Sequence, residues 1–185
     1  MILNIFFIIA LTFPVAVAST TFGINYEQFA INNSQFEKKW FYAFVVALGQ
    51  GVMYSLGSLL GGTFMHMMES FSKLVVFALC FSISYRMLLD TLKIKNGSNL
   101  IMIEKNLHLI LLSVALGVNA FIAGLMADFM PLFQDRTPYI IMAAAFVWAV
   151  VSIIIPFTKV KLTLNSFLNV IFAAVIVVIG LLELV

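Results

Sequence analysis

The sequence predicts an all-α membrane protein whose six transmembrane helices form two inverted three-helix repeats. Three observations carry that expectation. The chain is 63% hydrophobic and only 10% charged, whereas soluble domains run about 45–50% apolar and about 25% charged. Six apolar stretches are each long enough to cross a bilayer. Short matches between the two halves of the chain fall in the same order.

The apolar stretches are Ile2–Gly23, Trp40–Phe64, Phe71–Thr91, Leu107–Phe129, Pro138–Phe157 and Leu164–Leu184. A spanning helix needs about 20 apolar residues, so six use about 120. What remains of the 185 residues suffices for ends and loops, and the chain reads as a single membrane domain over 1–185. The partner this composition implies is the lipid bilayer. Net charge is +2, without a basic tail that would point to nucleic acid. The one cysteine, Cys80, excludes a disulfide within the chain and a zinc site built from cysteines.

The first stretch has a rival reading as a signal peptide, with Leu3–Ala18 as its apolar core and Ala16-Val17-Ala18 as a small-residue cleavage site. Against it, no Lys or Arg precedes Lys38. Between the later stretches, polar segments carry most of the charge. Lys and Arg concentrate in the cytoplasmic loops of membrane proteins. If the first, third and fifth loops are cytoplasmic, they and the adjoining Arg86 hold Lys38, Lys39, Lys93, Lys95, Lys105, Lys159 and Lys161, leaving Lys73 and Arg136 outside. Both termini are then expected outside the cytoplasm.

Three matches relate the halves. Ala10-Leu11 with Ala18 aligns with Ala115-Leu116 with Ala123. Ala43-Phe44-Val45-x-Ala47 recurs as Ala145-Phe146-Val147-x-Ala149, and Val75-Val76-Phe77-Ala78 as Val170-Ile171-Phe172-Ala173. The repeats would occupy about 1–92 and 106–185. An odd number of helices per repeat inverts the second copy, a plan shared by many secondary transporters, whose sites lie near the midplane on helices from both repeats.

Polar residues inside spans are the candidates for such a pathway. Pro14 lacks an amide hydrogen and frees the carbonyl of Ala10, next to Thr12. That carbonyl can hold a cation or a water; the plainer role of Pro14 is a packing kink, which membrane helices tolerate. Asn119 is the equivalent of Pro14 in the fourth helix. Gln50, Tyr54 and Ser152 are the other polar candidates, either as packing glue or as a lining shared between repeats. Arg86 and Asp90, four apart on the third helix, form either a structural ion pair or a gate. Met65-His66-Met67-Met68-Glu69 offers soft ligands suited to Cu(I), or apolar filling. No catalytic motif appears, so an enzyme is not expected, nor is a cofactor.

The plan resembles the bacterial manganese efflux pumps (MntP-like), relatives of the amino-acid exporter superfamily. The family's Ser-x-Asp-Ala-Phe/Met-like stretches match Thr12–Ser19 in the first helix and Gly117–Gly124 in the fourth. Its Gly-x-Arg-Met-x-x-Glu is similar to Ser84-Tyr85-Arg86-Met87-Leu88-Leu89-Asp90, its second-helix motif to Gly51–Gly61, and its Ile-Gly-Leu to Ile179-Gly180-Leu181. The resemblance implies manganese as the exported substrate and a bacterial cytoplasmic membrane as its place. If the chain moves a cation, the residues put its ligands at the Ala10 carbonyl, the Thr12 hydroxyl and the Asn119 oxygen, with Gln50 and Ser152 completing the set. The resemblance also shows departures: Pro14 and Asn119 replace the family's two aspartates, and Tyr54 replaces its Gln or Glu. A hard divalent cation prefers carboxylate, carbonyl and water oxygens. Two readings follow: an exporter, of manganese or of an altered small substrate, or a membrane scaffold that kept the fold and lost the ion site.

Overall fold

The structure is a computed structural model, and it describes residues 2–29, 35–68, 71–95, 106–130, 136–154 and 159–184. Six helices follow one another: α1 (Ile2–Phe29), α2 (Gln35–Met68), α3 (Ser72–Lys95), α4 (Asn106–Leu125), α5 (Thr137–Ile154) and α6 (Lys159–Leu184). All six are long and apolar enough to cross a membrane.

The ends differ from the apolar stretches for local reasons. α2 starts at Gln35 and α6 at Lys159, because the helical ladder continues through polar residues that apolarity alone does not count. α4 stops at Leu125, four residues short. Beyond it the Met126 and Ala127 amides bond the Ala123 and Gly124 carbonyls at 3.2 and 3.0 Å, the three-residue spacing that tightens a helix end. α5 carries Pro138 in its first turn, where the missing amide hydrogen has no partner to lose.

Contacts between named residues set the helix directions. On α2 and α4, Gly49 meets Ser113, Gly57 meets Phe121 and Gly61 meets Leu125, so residue numbers rise together and the two helices are parallel. On α3 and α6, Cys80 meets Gly180, Ser84 Oγ donates to the Ala173 carbonyl at 2.8 Å, and Asn169 Nδ2 donates to the Met87 carbonyl at 3.0 Å. Numbers rise on one as they fall on the other, so this pair is antiparallel. α1 packs mainly on α5 and α6, and α2 on α4 and α5.

Close approach of α2 and α4 depends on glycine. A side-chain carbon on Gly57 would run into the Phe121 carbonyl, and one on Gly124 into the Tyr54 carbonyl. Small residues at helix interfaces are the usual means of tight packing in membranes, where lipid gives no hydrophobic drive to associate.

α1 is the central helix. Its span Leu3–Thr20 is 72% buried, against 28–39% for the other five. Phe7, Ala10, Leu11, Phe13, Val15, Ala16 and Val17 all lie in the interior. Phe13 stacks edge-on against Trp148 of α5 at 5.1 Å and tilts against Phe172 of α6 at 4.7 Å. Around it the outer helices turn large apolar residues outward, such as Leu59, Phe81, Leu111, Val147 and Phe167.

Candidate functional site

The row Tyr42, Val46, Gln50 and Tyr54 recurs every four residues on α2, so it forms one face. All four side chains are buried. The row is tied at both ends: Ser19 Oγ of α1 bonds the Tyr42 hydroxyl at 3.5 Å, and Tyr54 bonds the Thr137 side chain of α5. Between these anchors stands Gln50, 1% exposed, with neither Oε1 nor Nε2 hydrogen-bonded. A buried polar atom without a partner costs about 1–3 kcal/mol, so this glutamine is the least satisfied side chain on the row.

Asn119 of α4 stands at a similar depth. Gly117 packs so closely on α2 that a side-chain carbon there would stand 3.2 Å from the Gly49 carbonyl oxygen. Gln50 comes one residue after Gly49 and Asn119 two after Gly117. At about 1.5 Å rise per residue, the two amides fall within about one helical turn of each other in depth. Asn119 is 2% exposed and its Oδ1 has no partner.

Thr12 reaches the same layer from α1. Ser19 meets Tyr42, and the helices run oppositely from there. The seven residues back to Thr12 rise about 10.5 Å and the eight forward to Gln50 about 12 Å. Thr12 is fully buried, and its hydroxyl donates to the Ile8 carbonyl at 2.8 Å. Its oxygen keeps lone pairs as an acceptor. The Ala10 carbonyl, deprived of an amide partner by Pro14, opens at this depth too; both residues are buried. α1 remains a single helix through Pro14.

Other predicted residues stand apart. Ser152 is buried on α5, but it lies one turn past Trp148, the neighbour of Phe13, so it falls about 6 Å from that level toward the Ser19–Tyr42 end. Arg86 is half-buried and crosses from α3 to α4, where its guanidinium donates to the Ala115 carbonyl. Asp90, one turn on, acts on it through charge. The Ala115 carbonyl also ends the helical bond from the Asn119 amide, so Arg86 touches the turn that carries Asn119. The Met65–Glu69 strip lies outside the residues whose side chains are described. Among the described residues, no three His, Cys, Asp or Glu side chains come together.

The sequence reading passed over two asparagines of α6. Asn169 Nδ2 donates to the Met87 carbonyl and to Thr91 Oγ1 at 3.0 and 2.9 Å, and Asn165 Nδ2 donates to Thr20 Oγ1 at 2.8 Å. Two asparagines four apart in a mostly apolar span were the available signal. They tie α6 to α3 and to α1.

These features define a multi-pass membrane protein with buried, uncharged polar side chains in its interior. The chain belongs to the Mntp family, described as putative manganese efflux pumps, whose model matches residues 33–184. That match spans α2 to α6, and α1 precedes it. No curated protein and no solved structure matches the chain. The family is one of membrane transporters for a small ion, not of enzymes.

Proposed function

We propose that this protein is a secondary exporter of a small cation of the manganese class, with its site in the layer formed by Thr12, Gln50 and Asn119. The Ala10 carbonyl completes the oxygen set, and Tyr54 stands one turn beyond Gln50. The observation that carries the proposal is the pair of buried amides, Gln50 and Asn119, holding unpartnered oxygens at depths within about one turn of each other. Native proteins rarely leave buried acceptors unmet, and a cation meets them.

An inverted arrangement of repeats 1–92 and 106–185 accompanies this reading. Exchanging α1 with α4, α2 with α5 and α3 with α6 turns the α2–α4 contact into α5–α1 and the α1–α6 contact into α4–α3. All four contacts exist. Under this arrangement both termini face out of the cytoplasm of a bacterial cell, and Arg86 with Asp90 guards the α3–α4 seam as a structural pair or gate.

One observation favours the scaffold reading. Among the described residues, no fully buried side chain is a carboxylate, so nothing in the core offsets a divalent charge outright. Manganese tolerance of an exporter-deficient host separates the two readings. An exporter protects the host, and Asn119→Leu removes that protection while the protein still accumulates. A scaffold protects in neither form.

A further inference from the structure

The amide of Asn169 is oriented by its neighbours. Thr91 Oγ1 donates to the Met87 carbonyl at 3.0 Å, so it has lone pairs but no proton to offer Asn169. A carbonyl only accepts. Both atoms beside Asn169 on α3 therefore demand the nitrogen, and Nδ2 supplies both. Oδ1 is turned away from α3, and it is buried without a partner in a residue 1% exposed.

One turn earlier on the same face of α6, Asn165 is held in the same sense, against α1 instead of α3. Its Nδ2 bonds Thr20 Oγ1 of α1, while the Thr20 hydroxyl donates to the Ala16 carbonyl at 2.8 Å. Both hydroxyl protons and both amide nitrogens thus bond carbonyls or hydroxyls. The buried group left unmet is an acceptor, Asn169 Oδ1, with the carboxamide of Asn165 one turn away. A cation fits such an acceptor, and a set this small without a carboxylate suits a single positive charge.

We propose that Asn169 Oδ1, with the side-chain oxygen of Asn165, forms a second site that binds a monovalent alkali cation. It lies toward the end of the bundle where α1 ends and α6 begins, apart from the Gln50–Asn119 layer. A coupling role for this cation rests on the export reading above; its binding does not.

Thermal unfolding of the purified protein in detergent, in sodium chloride and in choline chloride of equal ionic strength, tests the site. Sodium raises the melting temperature of the wild type, and Asn169→Leu loses that response. Asn165→Ala, which leaves both bonds of Asn169 to α3 in place and removes the second oxygen, shifts the response to higher sodium concentrations. This second variant keeps the test open if the leucine variant fails to fold. Equal melting of the wild type in both salts overturns the proposal, as does an unchanged sodium response in Asn165→Ala. Reconstituted vesicles then separate the two ideas: sodium-dependent melting without any efflux upholds this site and sinks the export reading.

Discussion

Gly117 of α4 packs on the Gly49 carbonyl of α2, and that contact places Gln50 and Asn119 at nearly one depth in the bundle. A small-residue seam made for close packing therefore also sets the relative depth of two buried amides with unpartnered oxygens.

The seam is unforgiving at Gly124. A side-chain carbon there meets the Tyr54 carbonyl and the Ser58 amide nitrogen, which are backbone atoms that cannot swing aside. Gly124→Val should lower stability by about 1–3 kcal/mol or more, the cost of overpacking. Melting in detergent measures it, and a loss of only a few tenths of a kcal/mol would contradict the packing described.

Gln50 should behave in the opposite way. Both of its polar atoms are buried without partners, so Gln50→Met removes that cost and should stabilise the ion-free protein by about 1–3 kcal/mol. The same change should abolish ion binding and protection of the host. Stability gained together with function lost is the signature of a site that is held unsatisfied for its ligand.

Much of this was legible in the sequence, and the reasons are physical. Six spans follow from length and apolarity, and Gln50, Thr12 and Asn119 announce themselves as polar residues near span centres. Depth can be counted along a helix at a fixed rise. Neighbours cannot. Lipid is as apolar as a core, so the outward Leu111 and the inward Leu109 look alike in sequence. For that reason the central place of α1, and its packing on α5 and α6, came only with the structure. Ser152 shows the same limit: it is polar and buried, yet a turn away from the layer. Asn165 and Asn169 were visible as an unusual pair, but their meaning depends on Thr20, Thr91 and the Met87 carbonyl, which lie on other helices.

The centrality of α1 gives a direct test. A chain beginning at Ser19 loses Phe7, Ala10, Leu11, Phe13, Val15 and Val17, each buried to within a few per cent. Losing even one such large side chain costs about 2–5 kcal/mol, so this variant should yield no monodisperse protein in size-exclusion chromatography. A well-behaved peak with native helix content would contradict the packing of α1.

Orientation is open to labelling. In a Cys80→Ser background, single cysteines at Lys39, Asn96 and Lys161 should react with an impermeant thiol reagent only from the cytoplasmic face, and one at Arg136 only from outside. Reaction at Asn96 from outside would reverse the topology.

The central claim is that neutral oxygens from Gln50, Asn119 and α1 hold a cation, and manganese binding to the purified protein tests it most directly. Wild-type protein should bind manganese weakly. Asn119→Asp should bind it at least about tenfold more tightly, since a carboxylate in low dielectric attracts the ion far more than an amide dipole does, and Asn119→Leu should not bind it. If all three proteins give the same titration, with or without binding, the layer is not the ion site and the account fails.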